Sequence, residues 1–188
     1  MIAASAILRL IAMSLFVVLC ATSAMAQSVP FVREVKLGVV AHDVPGLWSG
    51  FRLEQGIGVN GEVILSPEVA FLGGHLRPAL GGTYTIPTRD RGVTSKAYAD
   101  VRWMFEAQNG LFLSLGIGAA IHDGLLDSGD VNRKWLGRRA LFHFPLELGW
   151  RFDARQSISI YFDHISNGYT TKFNEGLDTL GLRYGYRF

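Results

Sequence analysis

The sequence predicts an all-β protein, an eight-stranded antiparallel transmembrane β-barrel of the outer-membrane type, and three observations carry that expectation. The stretch 178–188 alternates without interruption, with Leu180, Leu182, Tyr184, Tyr186 and Phe188 on one side and Gly181, Arg183, Gly185 and Arg187 on the other. An apolar face girdled by tyrosines suits lipid, and a face of arginines and glycines suits a polar lumen. Strand hydrogen-bonding groups cannot be left open in hydrocarbon, so such a strand implies a closed barrel. Seven further segments have period-two alternation or β-rich composition, each close to the roughly 9 to 11 residues that cross a bilayer obliquely. Their connections alternate short and long, as in outer-membrane barrels, with the short turns periplasmic.

Residues 1–26 carry a single charge at Arg9, then an apolar stretch from 10 to 19, then Ala24-Met25-Ala26 as a small-x-small cleavage site. This reads as a secretory signal peptide removed before Gln27. The apolar run is short for a membrane helix and lacks a polar stop flank. Cys20 follows the large Leu19, whereas a lipoprotein signal needs a small residue there. It is the single cysteine of the chain, so its loss with the leader excludes disulfides and cysteine chemistry. Residues 27–188 are one domain's worth of chain. Of the 18 basic and 16 acidic residues only Arg9 lies in the leader, so the mature chain is one charge from neutral and gives no reason to expect nucleic acid as a partner.

The strands are expected at 33–42, 57–65, 68–84, 95–107, 111–122, 139–152, 157–166 and 178–188, the third being overlong. Ser66-Pro67, Gln108-Asn109-Gly110 and Asp153-Ala154-Arg155-Gln156 read as tight turns. Polar loops at 43–56, 85–94, 123–138 and 167–177 fall on the opposite rim. In the fifth segment Leu111, Leu113, Leu115, Ile117, Ala119 and Ile121 share the lipid parity. In the sixth, Glu147 and Arg151 point inward, where Arg183 or Arg187 can pair with them. A barrel of eight strands is filled by side chains, so a transport pore is not expected.

The seventh segment breaks its own alternation. Ile158, Ile160 and Phe162 are apolar, and the next two positions of that parity are His164 and Ser166. Polar groups on a lipid-facing side are costly except near the interface, and counting from the turn at 153–156 places them at the outer rim. Two residues apart, their Cα atoms are separated by about 7 Å. Asp178 has the outward parity of Leu180 and begins the neighbouring strand, so acid, base and hydroxyl share one external patch. Such a trio supports serine hydrolysis: His164 takes the Ser166 proton and Asp178 fixes the tautomer. Asn167 and the amides of Gly168 and Tyr169 directly follow Ser166 and are candidate oxyanion donors. On spacing alone, the commoner reading of a His-x-Ser pair is a polar rim pair capped by the following loop.

His164-Ile-Ser166-Asn167-Gly168, followed by Asn174-Glu-Gly176-Leu-Asp178-Thr and the alternating terminal strand, resembles the C-terminal signature of the lipid A 3-O-deacylase (PagL) family, related to acyloxyacyl hydrolase-like outer-membrane barrels. The specific match covers 162–188. The resemblance implies an outer-membrane serine esterase that removes the 3-O-linked acyl chain from lipid A of lipopolysaccharide, without a cofactor. It implies a triad of His164, Ser166 and the acid fourteen residues after the histidine, Asp178, on the outer surface of the barrel. Two departures stand out. The family's best-known members carry glutamate at the acid, and the residue after Gly168 is usually small, whereas here it is Tyr169. Asn174 matches an asparagine of the motif, as support for the loop or for the oxyanion. Glu175 is a second acid close by, ranked behind Asp178.

Two rival readings remain at this stage: a non-catalytic small barrel acting as adhesin or structural protein, and an outer-membrane phospholipase or acyltransferase of similar build. The other histidines, His42, His75, His122 and His143, lack metal-site spacing, and His143 reads as a lumen hydrogen-bonder. Trp48, Trp103, Trp135 and Trp150 read as interface belt and loop packing. Arg89, Arg91, Arg133, Lys134, Arg138 and Arg139 read either as solvated loop charge or as contacts for lipopolysaccharide phosphates.

Overall fold

The computed structural model describes residues 30–49, 53–89 and 91–188. The expected signal peptide at 1–26 lies outside these residues. Among the described residues there is no helix, and the strands are β1 (Val32–His42), β2 (Gly56–Leu65), β3 (Val69–Phe71), β4 (Gly74–Pro87), β5 (Lys96–Glu106), β6 (Leu111–His122), β7 (Ala140–Arg151), β8 (Gln156–Ser166) and β9 (Leu177–Arg187). Sequence neighbours pair antiparallel from β4 to β9, β9 pairs with β1, β1 with β2, and β2 with β4. Eight strands therefore close on themselves, and every barrel strand has a partner on each side.

The expected third strand at 68–84 is corrected to two elements. β3 is a three-residue strand hydrogen-bonded only to the start of β4, in the register Phe71↔Gly74. The reversal at Leu72 and Gly73 has φ of 43° and 78°, the positive pair of a two-residue hairpin turn. The apolar Leu72 hides that turn, because a leucine rarely adopts positive φ. The barrel has eight strands because β3 lies along the start of β4, beyond the end of the β2–β4 pairing, rather than forming a further stave of the wall.

Exposure alternates along each strand, but with polarity inverted relative to a soluble protein. In β6, Leu111, Leu113, Leu115, Ile117 and Ile121 are exposed, while Phe112, Ser114, Ala120 and His122 point in and are buried. Such an outer band is tolerated only where hydrocarbon covers it. At the rim of the short turns the aromatics form a girdle: Trp103 lies 4.6 Å from Phe105, Trp150 6.0 Å from Phe152 and Tyr186 5.3 Å from Phe188, centroid to centroid. The other rim carries four loops, L1 (43–55), L2 (88–95), L3 (123–139) and L4 (167–176).

The lumen is filled with paired charge. Glu147 accepts from Lys36 Nζ at 2.7 Å and forms an ion pair with Arg183, whose Nη2 lies 2.6 Å away. Arg102 pairs with Glu62, and Arg183 Nη2 also lies 3.3 Å from Glu62, its guanidinium 3.8 Å from the centre of the Tyr161 ring. Lys96 pairs with Asp163, His143 Nδ1 meets Asp100 at 2.8 Å, and Arg151 bridges Glu34 and Glu106, each at 3.1 Å. Removing one partner would strand a buried charge at a cost of about 3–5 kcal/mol. The network stiffens the wall from inside.

A closed wall with this many cross-strand bonds resists detergent unfolding. Refolded protein is expected to migrate faster on a denaturing gel when left unheated than after boiling; one band of unchanged mobility would contradict closure.

Candidate active site

The outward parity of β8 runs Ile158, Ile160, Phe162, His164, Ser166. Register fixes what surrounds its upper end: on one side His164 stands opposite Asp178 of β9, and on the other His164 and Ser166 stand opposite Phe144 and Phe142 of β7. Opposed residues on adjacent antiparallel strands have Cβ atoms about 5 Å apart, close enough for an imidazole to reach a carboxylate. His164 Nδ1 lies 2.6 Å from Asp178 Oδ1.

The other oxygen, Asp178 Oδ2, accepts from the amides of Trp48 and Ser49, both at 2.7 Å, and the Asp178 carbonyl accepts from Val44 N at 3.1 Å. L1 is therefore draped over the top of β9, which is why Asp178 is fully buried on the outward side of a barrel. A carboxylate held by two amide donors keeps acceptor character towards the ring, which favours the proton on Nδ1 and leaves Nε2 as an acceptor. The Trp48 indole stacks on the His164 ring, centroids 4.3 Å apart and planes 13° apart. His164 is consequently 3 % exposed although its strand position is outward. Gly176 closes another side: a Cβ there would lie 2.8 Å from His164 Cε1, and its φ is +60°, so only glycine lets L4 pass this close to the ring.

Ser166 ends β8 at the mouth of the same recess. Its hydroxyl makes no hydrogen bond among the described residues, and it lines the same cleft as His164. Beyond it, Gly168 and Tyr169 have φ of 62° and 59°, with Thr170 N donating to Asn167 O at 3.3 Å. This is the backbone of a tight primed turn. Asn167 is used to hold that turn. Its Nδ2 donates to Leu136 O at 2.9 Å and to Thr171 Oγ1 at 3.0 Å, its Oδ1 accepts from Thr170 N at 3.0 Å, and its amide donates to Asn174 Oδ1 at 2.8 Å. Asn167 and Asn174 thus support L4, and the amides of Gly168 and Tyr169 remain uncommitted among the described residues.

Glu175 N donates to Trp135 O at 3.2 Å and its Oε2 accepts from Trp135 N at 2.7 Å, a clasp between L3 and L4. The loop cations are likewise tied into the rim. Lys134 Nζ lies 3.4 Å from Asp43, Arg133 Nε 3.4 Å from Glu54, Arg139 donates to the carbonyls of His122 and Gly124, and Arg138 to that of Thr170. Burial lifts the Asp43 carboxyl to about 6 against the pull of the Lys134 ammonium. Burial acts the same way on Glu54, but hydrogen bonds from His42 and the Lys134 amide outweigh it and hold that carboxyl below its usual value. Of the expected loop cations, Arg89 and Arg91 remain exposed.

These elements enclose a cleft of 830 Å³ lined by His164 and Ser166, by Trp48, Trp135 and Phe173 of the loops, and by Ile117, Phe142 and Phe144 of the strands. Lys172 stands at its edge. Ile117 and Phe142 of this lining also belong to the exposed apolar band. Sequence reasoning missed Trp48, Ser49 and Gly176. Trp48 was expected to serve the interface belt and loop packing, and its ring stacks on His164.

A family profile described as lipid A 3-O-deacylase (PagL) matches residues 67–187. Among solved structures, that of the outer membrane enzyme PagL superposes with a TM-score of 0.61 at 19% identity, covering 82% of this chain and 99% of that one. Neisserial surface protein A superposes at 0.56 and 8% identity over 82% of this chain and 96% of that one. A de novo designed transmembrane β-barrel does so at 0.51 and 11% identity over 87% and 100%. At these identities the likeness establishes the fold alone. No curated protein sequence matches the chain significantly.

Proposed function

Because the chain belongs to the lipid A 3-O-deacylase (PagL) family and is thereby an outer-membrane lipid A deacylase, we propose that it acts as a serine esterase on the 3-O-linked acyl chain, with Ser166, His164 and Asp178 as nucleophile, base and acid. The observation that carries this reading is the buried His164–Asp178 hydrogen bond, with His164 and Ser166 lining one cleft together with the apolar side chains of Ile117, Phe142 and Phe144.

In the proposed reaction His164 Nε2 removes the proton of Ser166 Oγ as that oxygen attacks the ester carbonyl carbon. The oxyanion of the tetrahedral intermediate accepts from the Gly168 amide, with Tyr169 N next to it. The imidazolium, stabilised by Asp178, returns the proton to the sugar 3-oxygen as the carbon–oxygen bond breaks. Water, activated by the same Nε2, then hydrolyses the acyl-serine. The apolar wall of Ile117, Phe142 and Phe144 suits the alkyl chain, while the sugar stays at the polar rim. Both ends of the barrel sequence lie at the short-turn rim, which we assign to the periplasm; the site then faces the outer leaflet. Residues 1–26 act as the export signal, and a mature N-terminus at Gln27 is the corresponding expectation.

Mass spectrometry of lipid A from cells with the protein, without it, and with Ser166→Ala tests the reading. Loss of one hydroxyacyl mass from the 3-position, absent in the variant, is the expected result. Loss of a chain from another position would move the regiochemistry, fatty acid released from glycerophospholipid instead would favour a phospholipase, and unaltered lipid would favour a structural barrel.

A further inference from the structure

Building on the proposed triad, we infer that Trp48 is a positioning residue of the reaction: its indole sets the plane of the His164 imidazole and screens the His164–Asp178 hydrogen bond, while its amide fixes the far carboxylate oxygen. One residue of L1 thus touches both members of the dyad, through ring and backbone separately.

The indole is poorly placed to be there for packing. Trp48 is 62 % exposed and the adjacent Leu47 60 %, so the ring gives up little of its surface to the protein. The rings it meets are those of His164 at 4.3 Å and Phe144 at 5.6 Å. Lying nearly parallel to the imidazole, it restricts rotation about the histidine's second side-chain torsion, which is otherwise broad and two-fold. Its π face also favours the imidazolium that forms at the transition state over the neutral ring before it, a stabilisation worth about tenfold or more in rate. The exposed face of Trp48 and Leu47 belongs at the lipid headgroup level, where indoles reside, so the same ring ties the dyad to the interface in which the substrate lies.

L1 is held down at both feet for this purpose. Glu54 N donates to Asp43 Oδ2 at 2.7 Å, Glu54 accepts from Lys134 N at 3.0 Å and meets His42 Nε2 at 3.1 Å. The span between those feet carries Trp48 and Ser49 to Asp178 across 130 and 129 residues of sequence.

The test uses full-length protein refolded in detergent micelles, with Trp48→Ala, Trp48→Leu, Trp48→Phe and Ser166→Ala compared for kcat and KM on lipid A. The downfield proton resonance of the His164–Asp178 hydrogen bond is followed by NMR, and heat-modifiable mobility reports folding. The expected result is a kcat lower by about tenfold or more in Trp48→Ala and Trp48→Leu with KM changed by less than about threefold. The downfield proton should broaden or vanish in both, mobility should be unchanged, and Trp48→Phe, which keeps a stacking ring, should recover most of kcat. Should Trp48→Ala fail to fold, Trp48→Leu preserves bulk without a π face and carries the comparison. Wild-type kcat in Trp48→Leu, a loss confined to KM, or an unaltered downfield proton would overturn the inference. These outcomes leave the triad untouched as long as Ser166→Ala is inactive; an active Ser166→Ala would instead bring down the proposed function, whatever Trp48 does.

Discussion

Ser166→Ala is expected to abolish deacylation while leaving the barrel intact, and His164→Ala to do the same. Neither side chain supports the wall: both stand on its outer side, and the inward neighbours Asp163 and Ile165 carry β8's packing into the lumen. Removing a nucleophile or its base from a concerted triad costs about four to six orders of magnitude in turnover, and removing both costs little more. Purified variants assayed for fatty-acid release from lipid A, with electrophoretic mobility as the folding control, decide the matter. Turnover in Ser166→Ala above about one per cent of wild type would mean that another group attacks the ester.

Asp178→Asn should be nearly as damaging, for a reason the hydrogen bonds supply. Asp178 Oδ2 faces two backbone donors, Trp48 N and Ser49 N. An asparagine must therefore turn its carbonyl oxygen to those amides and its NH2 to the histidine. Nδ1 of His164 then has to accept, the ring proton moves to Nε2, and the base is lost. A tautomer error of this kind costs about 10⁴-fold. Asp178→Glu keeps the acceptor pair and shifts it by one methylene, so activity should stay within about a hundredfold of wild type. Glu175→Gln should leave turnover roughly unchanged, because the amide oxygen can still accept from Trp135 N. Inactivation by Glu175→Gln, with Asp178→Asn active, would transfer the acid's role to Glu175.

Parity made much of this arrangement readable. His164 and Ser166 stood out because they occupy apolar positions of an alternating strand, and Asp178 because the next strand brings the same parity back beside them. The same reasoning separated lumen from lipid sides and offered Arg183 or Arg187 as partners for the inward charges of β7, of which Arg183 meets Glu147. It could not say that Glu147 also takes Lys36, because strand tilt and closure, rather than alternation, choose partners across a lumen. Trp48 escaped for a different reason. L1 has no periodicity, and its contact with Asp178 depends on β1 and β9 meeting at the barrel seam. At Gly176 nothing local in the sequence reveals an imidazole against the α-carbon. The hairpin at Leu72 and Gly73 was hidden by a leucine in a conformation leucine seldom takes.

The lumen network also constrains how the protein can enter a membrane. Lys36 reaches Glu147 across 111 residues of sequence and Arg151 reaches Glu34 across 117, so the closest partners of the first strand's Glu34 and Lys36, themselves 3.8 Å apart, come from strands made much later. A partly threaded barrel would present those ammonium, guanidinium and carboxylate groups to acyl chains with no counter-ion, a state costly enough to be sparsely populated. Insertion and zippering of the seam between β1 and β9 should then occur as one cooperative event, slow because so many of its contacts are remote in sequence. An assembly machine that shelters the open edge would speed it by holding the early charges in water until their late partners arrive.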